Sequence, residues 1–279
     1  MQGGLMYNAF PITSAQNPKI KQLVALRDKK TREKDKQFLI EGYREIARAQ
    51  KMGYPIEALF FCEELFLGTQ ETKLILEIGK KATLYQLPRH LFEKCSYRDR
   101  PDGLLAIAPI KRKTLQEFSE AYQKRAGHTQ PFLLLAEAIE KPGNLGSILR
   151  SCDAAGVHGV LVCDPKADVF NPNVVRASIG TLFTVPFLEC SMEEALTLLK
   201  EKGIQLVAAT PHAEKKFTEV DFQGAIAIAM GTEQLGLSDD IMQKADIQVK
   251  IPMLGIADSL NVAAATTLML YEVVRQRLK

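Results

Sequence analysis

In the second half of the chain, short apolar runs alternate with stretches whose apolar residues recur at helical spacing. From residue 132 the predicted order is strand FLLLAEAI, helix LGSILRSCDAAG, strand GVLVCD, helix SMEEALTLLKEKG, strands QLVAAT, AIAIAMG and IQVKIPM, and a final helix LNVAAATTLMLYEVVRQRL. Continuous apolar strands that alternate with helices indicate a parallel sheet covered on both faces. In such an α/β fold, the functional site lies at the carboxyl ends of the strands.

The first half of the chain has a less regular pattern. FLIEG and GLLAIAPI are predicted strands, YREIARAQKMG is a predicted helix that ends at Gly53, and IEALFFCEEL is a predicted strand with its exit. We therefore expect residues 12–110 to form a smaller α/β domain. Residues 111–130 are polar, basic and partly helical, and are expected to be a linker to the second domain at 131–279.

Charge is distributed unevenly between these halves. Up to residue 130 the chain has 23 Lys and Arg residues against 15 Asp and Glu, whereas after it the balance is 13 against 18. Near the start of the chain, a dense run of basic residues follows a stretch with helical spacing. A basic helix face of this kind can neutralise the phosphates of a nucleic acid. A solvated helix surface is the alternative. The candidate RNA-binding residues are Lys19, Lys21, Arg27, Lys29, Lys30 and Arg32.

Composition and motifs exclude several other classes of protein. No apolar run approaches the roughly 20 residues that a membrane helix requires, and the first residues lack the positive start of a signal peptide, so a cytoplasmic protein is expected. The five cysteines are widely spaced and form no C-x-x-C motif, so we expect reduced and mostly buried thiols. The four histidines lack a metal-like spacing, and no metal is expected.

Three polar, glycine-containing loops follow predicted strands: EKPGNLGS, GTEQLGLS and PMLGIADSLN. None matches a dinucleotide-binding or nucleoside-triphosphate-binding motif, and G-x-S-x-G is also absent. A reaction suited to such a site brings its own electrophile and needs mainly positioning. Methyl transfer from S-adenosylmethionine fits, because the methyl carbon on the sulfonium is already activated.

The three loops, in this order and spacing, resemble the motifs of the SpoU (TrmH-like) RNA 2′-O-ribose methyltransferases of the SPOUT superfamily. The segments concerned are NLGSILRSCDAAG, IAMGTEQLGLS and VKIPMLGIADSLNVAAATTLMLYEVVRQR. SAQNPKIKQLVALRDKK, FLIEGYRE and RPDGLLAIAP resemble the substrate-binding domain of that family, which has a ribosomal-protein-like α/β fold. The resemblance implies a deep trefoil knot in the C-terminal domain. Lys141 and Ala263 depart from the residues commonly found in the motifs.

The resemblance also implies a catalytic group of Asn144, Arg150, Glu233, Ser259 and Asn261. Four of the five have an ordinary structural alternative: a helix cap for Asn144 and Ser259, a surface ion pair for Arg150, and a loop carboxylate for Glu233. Arg150 is expected to orient the ribose hydroxyl and stabilise oxyanion charge, since a guanidinium has a pKa above about 12 and is a poor base.

The implied cofactor is S-adenosylmethionine, held mostly by backbone groups and apolar walls. The candidate residues are Thr210, Gly231, Ile251, Met253, Gly255 and Leu260. The resemblance also places the apolar last helix in a dimer interface, so a homodimer is expected. Structured RNA is the expected substrate, with ribosomal RNA favoured over transfer RNA. A catalytically silent RNA-binding or ribosome-assembly factor on the same fold is the alternative from another functional class.

Overall fold

The computed structural model describes residues 8–232 and 234–278, and the chain divides into two compact units. Unit 1 extends up to Lys111 and also contains Phe170–Thr184, which we call the 170–184 segment. Unit 2 consists of Arg112–Val169 and the chain from Val185 onward. The sequence pattern had included the 170–184 segment in the second domain, but its contacts are with the first.

Unit 1 contains a mixed sheet with helices around it. Its strands are β1 (Ala9–Pro11), β2 (Gln37–Glu41), β3 (Ala58–Phe61), β4 (Thr83–Gln86) and β5 (Leu104–Pro109). Its helices are α1 (Pro18–Ala25), α2 (Lys29–Asp35), α3 (Tyr43–Lys51), α4 (Glu71–Ile78), α5 (Arg89–Cys95) and, within the 170–184 segment, α8 (Pro172–Ala177). Short 3-10 turns occur at Glu63–Leu65 and Thr181–Phe183.

The strand order in the sheet of unit 1 is β1-β4-β3-β5-β2. Strands β1, β4 and β3 pair in parallel, whereas β5 is antiparallel to both β3 and β2. One core cluster packs α1 and α5 against the sheet through residues such as Leu23, Phe60 and Phe92. The 170–184 segment packs beside β2, where the ring of Phe170 lies 4.9 Å from that of Phe38.

Unit 2 contains the larger sheet. Its strands are β6 (Phe132–Glu137), β7 (Gly159–Cys163), β8 (Phe187–Cys190), β9 (Gln205–Ala209), β10 (Ile226–Met230) and β11 (Ile247–Val249). Its helices are α6 (Leu115–Ala126), α7 (Pro142–Ala154), α9 (Met192–Glu201), α10 (Asp239–Lys244) and α11 (Val262–Arg277), with a 3-10 turn at Phe217–Glu219.

All strand pairs in the sheet of unit 2 are parallel, in the order β11-β9-β10-β6-β7-β8. The predicted parallel α/β sheet is therefore confirmed. One face packs against α6, α9 and α10, and α7 and α11 pack together elsewhere in the unit, with α11 against β10. Helix α6 falls within the expected linker, yet its Phe118 and Tyr122 are buried in the core of unit 2 because they pack against Gly159.

The sequence also predicted mostly buried thiols and no helix that crosses a membrane. All five cysteines are free, and four of them are buried. Burial raises the pKa of the Cys152 thiol on α7, so this cysteine is not an activated nucleophile. Within residues 8–232 and 234–278, no helix is long and apolar enough to cross a membrane.

Candidate active site

The first of the three loops leads from Glu137, the last residue of β6, into helix α7. Pro142 occupies the first turn of this helix, and Lys141 stands at the N-cap without a capping side-chain hydrogen bond. Asn144 therefore lies inside the first turn and is not the helix cap, which was its structural alternative. Its side-chain oxygen is directed to a neighbouring helix instead.

The third loop ends at Asn261, which caps α11 by accepting a hydrogen bond from the Ala263 amide at 3.0 Å. The Nδ2 of Asn261 donates to Oδ1 of Asn144 at 3.2 Å, so the first and third loops meet at this point. Ser259 is exposed and precedes the helix, and the cap that its residue type suggested is supplied by Asn261.

Helices α7 and α11 are joined a second time further along their lengths. The hydroxyls of Ser151 and Thr267 lie 2.7 Å apart, and Thr267 also donates to the carbonyl of Ala263. Because Asn144 and Ser151 are seven residues apart, they lie on one face of α7. The two polar pairs therefore fix the relative position of these helices along about 10 Å of their axes.

Arg150 lies next to Ser151 on α7 and is exposed. Its side chain makes no hydrogen bond or ion pair with another residue of the described chain. The surface ion pair that was its structural alternative is thus not observed among those residues. Its backbone is held by the helix, while its guanidinium donors are not used by any other described residue.

The second loop folds back on itself directly after β10. The amide and carbonyl of Thr232 bond to the carbonyl and amide of Gly236 at 2.9 and 3.1 Å. A Cβ on Gly231 would lie only 2.1 Å from the carbonyl oxygen of Gly236, so this close approach requires glycine. Glu233, the predicted catalytic carboxylate, lies outside the described residues.

Glu137 is a site residue that the sequence analysis did not include. It is 7% exposed, and its Oε2 accepts a hydrogen bond from the amide of Ser238 at 2.9 Å. Ser238 ends the second loop by capping α10, so Glu137 connects the start of the first loop to the end of the second. The sequence feature that could have identified Glu137 is a carboxylate placed directly at the end of an apolar strand.

The predicted cofactor-binding residues follow the same strand ends. Thr210 comes directly after β9, is buried, and bonds through its amide to the carbonyl of Val249 on β11. Gly231 is buried, Ile251 and Met253 are half-buried, and Gly255 is exposed. The neighbouring side chains of Leu254, Ile256 and Leu260 are exposed and apolar. The third loop thus offers apolar groups and free backbone to a ligand.

The predicted RNA-binding set needs one correction in unit 1. Arg32 is only 1% exposed, because its guanidinium donates to the carbonyls of Leu26 and Arg27 and fills the turn between α1 and α2. The Arg27 guanidinium also donates hydrogen bonds within unit 1, to the carbonyls of Lys94 and Ser96. Arg32 therefore does not belong to an RNA-binding surface. Of the other predicted residues, Lys21, Lys29 and Lys30 are exposed, and Lys19 and Arg27 are half-buried.

The fold and the site together define a parallel α/β protein with polar loops at the carboxyl edge of its sheet, where Asn144 and Asn261 are hydrogen-bonded and Arg150 is exposed. Comparison with known families agrees with this class. The model of the SpoU rRNA methylase family matches residues 131–271, and a model of the MRM3-like substrate binding domain matches residues 17–106. The chain belongs to the SpoU rRNA methylase family.

Individual relatives match over nearly the whole chain. The 23S rRNA (uridine(2479)-2′-O)-methyltransferase of Streptomyces viridochromogenes is 32% identical over 95% of this chain and 92% of its own. The crystal structure of an RNA 2′-O ribose methyltransferase is 40% identical, with a TM-score of 0.83 over 97% of this chain and all of the other. An AdoMet-bound rRNA methyltransferase from Sinorhizobium meliloti is 27% identical, with a TM-score of 0.84 over 97% and 99% of the two chains.

These comparisons confirm the family that the three loops predicted. They also confirm the enzyme class, an RNA methyltransferase, and the cofactor class, since S-adenosylmethionine is bound in the neighbour from Sinorhizobium meliloti. The individual site residues stay predictions, whose support comes from the geometry described above.

Proposed function

We propose that this chain transfers the methyl group of S-adenosylmethionine to a ribose 2′-hydroxyl of ribosomal RNA. The observation that carries the proposal is the hydrogen bond between Asn144 and Asn261. It joins the first and third loops at the sheet edge on which Arg150 is exposed. Membership of the SpoU rRNA methylase family and the named activity of the relative from Streptomyces viridochromogenes support ribosomal RNA as the substrate.

Residues of the second and third loops fit the cofactor. We assign its binding to Thr210, Gly231, Ile251, Met253, Gly255 and Leu260. The tight return of the loop at Gly231 and the exposed apolar side chain of Leu260 support this assignment, because backbone groups and apolar walls suit an adenosine. When bound, S-adenosylmethionine supplies an activated methyl group. The work left to the protein is to orient the acceptor.

Arg150 performs most of that work. Its guanidinium donates hydrogen bonds to the ribose hydroxyl and the adjoining phosphate, and stabilises the negative charge that develops on the attacking oxygen. Asn144 and Asn261 fix the place of the acceptor through their paired amides, and Ser259 and Glu233 contribute further contacts from the other loops. A guanidinium donates hydrogen bonds and accepts none, so Arg150 is not assigned the role of base, and the proton of the 2′-hydroxyl passes to water.

We assign RNA binding to residues 12–110, the expected substrate-binding domain, and methyl transfer to residues 131–279 without the 170–184 segment; the expected linker, 111–130, contains α6 and belongs mainly to unit 2. The exposed Lys21, Lys29 and Lys30 support this assignment through their charge. The 170–184 segment packs within unit 1 although it lies in the second half of the sequence. Neither residues 12–110 nor residues 131–279 are therefore expected to keep a complete core when produced alone. The match to a substrate binding domain over residues 17–106 also supports the division of labour.

Three further features belong to the proposal. A homodimer is supported by exposed apolar residues of unit 2, among them Leu254, Ile256, Leu268 and Tyr271. A trefoil knot, with a ribosomal-protein-like fold in the first domain, is supported by the family and by the order of the parallel strands. The cytoplasm is the proposed compartment, because the proposed RNA substrate is made there.

The deciding experiment measures methylation of ribosomal RNA directly. RNA from cells with and without the protein is mapped for 2′-O-methyl groups, and RNA from the cells without it is then treated with purified protein and labelled S-adenosylmethionine. We expect at least one ribose position that depends on the protein in both experiments. Label found only in transfer RNA, or on a base, would contradict the proposal.

A further inference from the structure

Unit 1 contains a cavity that belongs to none of the three loops. Its volume is about 770 Å³, within the range of roughly 300–1,000 Å³ that is typical of ligand sites. It lies among the start of α3, the residues before α4, the loop between α5 and β5, and the 170–184 segment. All of these elements belong to unit 1.

The rim of the cavity is basic. Arg44, Arg100 and Arg176 are exposed, and Asp99 is an exposed carboxylate among them. Arg44 and Arg100 form no ion pair with another described residue, and Arg176 donates only a hydrogen bond of 3.2 Å to Asn173 among its described partners. Guanidinium groups of this kind bind phosphate through paired hydrogen bonds. The rim therefore suits the backbone of a nucleic acid.

The interior of the cavity has a different character. Glu71 is 3% exposed, and while its Oε1 accepts from the amide of Gly68 at 2.8 Å, its Oε2 has no hydrogen-bond partner within the described chain. A buried acceptor without a donor is costly, so a ligand with N–H groups would be favoured there after a small movement of this side chain. Tyr43 also lines the cavity and supplies an aromatic ring, the usual platform for an unstacked base.

The walls that carry these groups are fixed in place. The amide of Tyr43 donates to Asp102 at 2.8 Å, and Arg98 forms an ion pair with the buried Glu45 at 2.6 Å. In the 170–184 segment, a Cβ on Gly180 would lie 2.8 Å from the Cα of Glu45, which shows how closely this segment approaches α3. Arg176 is thereby held at a cavity of unit 1, although it lies within the range matched by the methylase model.

We propose that this cavity binds one unpaired nucleotide of the RNA substrate. Its phosphates bind Arg44, Arg100 and Arg176, its base stacks on Tyr43, and an N–H group of the base is directed to Glu71. This inference rests on the proposed function for the nature of the substrate. Its consequence is that the enzyme recognises a loop, bulge or single strand near the methylated ribose, because a base in a duplex cannot enter the cavity.

The test compares the binding of single-stranded and duplex RNA by the full chain. The probes are a fluorescent pool of short single-stranded RNAs of mixed sequence and a fully paired duplex pool, measured by anisotropy. For Tyr43→Ala, Arg44→Ala/Arg176→Ala and the cavity-filling Thr69→Trp, we expect affinity for the single strands to fall at least about tenfold. Affinity for the duplex should fall less. Tyr43→Phe should bind both pools like the wild type.

Lys80→Ala/Lys81→Ala is the matched control, because it removes two exposed charges of unit 1 that lie outside the cavity. This double variant should lower the affinity for both RNA pools equally and only slightly. Wild-type binding by Tyr43→Ala and Thr69→Trp would overturn the proposal, as would equal losses on both pools, since these results indicate phosphate attraction alone. Melting temperature and S-adenosylhomocysteine affinity show that each variant is folded.

Methylation of ribosomal RNA is measured separately. If the wild-type enzyme methylates ribosomal RNA but the cavity variants bind single strands normally, this inference alone is contradicted. If the cavity variants selectively lose single-strand binding but the wild type methylates no ribosomal RNA, only the proposed function is contradicted.

Discussion

Gly231→Ala is the smallest change that tests the second loop as a cofactor site. The added Cβ would lie 2.1 Å from the carbonyl oxygen of Gly236, 2.2 Å from its carbonyl carbon and 2.4 Å from the amide nitrogen of Leu237. All three contacts are with backbone atoms, so no side-chain rotation relieves them. The loop from Thr232 to Gly236 must move away from the strand end.

The cost follows from the bonds that this movement breaks. Thr232 and Gly236 exchange two backbone hydrogen bonds, at 2.9 and 3.1 Å. At a net value of about 1 kcal/mol each, their loss amounts to about 2 kcal/mol. If the cofactor requires the closed loop, this corresponds to roughly a 30-fold higher Kd. Gly224→Ala is the matched control, because nothing lies within 4 Å of the added Cβ on that exposed glycine, which precedes β10 and lies outside the three loops.

Calorimetric titration with S-adenosylhomocysteine measures both variants. Gly231→Ala should bind at least about tenfold more weakly than the wild type, while Gly224→Ala should stay within about threefold. Melting temperature checks the fold, and we expect a small change, since the loop is largely exposed beyond Thr232. A Kd for Gly231→Ala within twofold of the wild-type value would refute the assignment of this loop to the cofactor.

The other predictions concern catalysis and pH. Arg150→Lys and Arg150→Ala should each lower single-turnover methylation at least about a hundredfold without changing cofactor affinity, because an ammonium does not replace a planar pair of donors; near-wild-type turnover in the lysine variant would contradict this role. Asn144→Ala and Asn261→Ala should each reduce turnover less, and the double variant should lose less than the product of both, since the two amides bond to each other. Burial lowers the pKa of His158 from 6.5 to about 4, so the folded state binds fewer protons than the unfolded state. Stability present above pH 6.5 should decline towards pH 4, and urea unfolding of His158→Gln should show a smaller decline.

The strands of the second sheet were predictable because burial on both faces leaves a continuous apolar run. Such runs identify β6, β7, β9 and β10 in the sequence. The edge strand β8 was missed, since Phe187–Cys190 is short and mostly half-buried. Helices α8 and α10 were missed because six residues are too few to establish a helical period.

The candidate site was predictable in its loops but not in all its side-chain contacts. Loop order and the parallel sheet bring Asn144 and Asn261 to one edge, and their hydrogen bond is consistent with that expectation. Pro142 was a local signal that α7 starts before Asn144. Arg32 had no such signal, since its burial depends on the turn between α1 and α2 rather than on its own residue type. The 170–184 segment was also beyond sequence patterns, because its packing depends on tertiary contacts with β2 and α3.

The position of Arg150 fits the role proposed for it, which is to donate hydrogen bonds to the acceptor. The pairs Asn144–Asn261 and Ser151–Thr267 hold α7 against α11 on both sides of Arg150 in sequence. Its backbone is therefore preorganised, so little entropy is lost there when the acceptor binds. Its guanidinium, in contrast, has no ion pair with another described residue that must first be broken. In the proposed function, the phosphate and hydroxyl of the substrate complete the hydrogen bonds of Arg150, and its strongest interaction then lies where charge develops during methyl transfer.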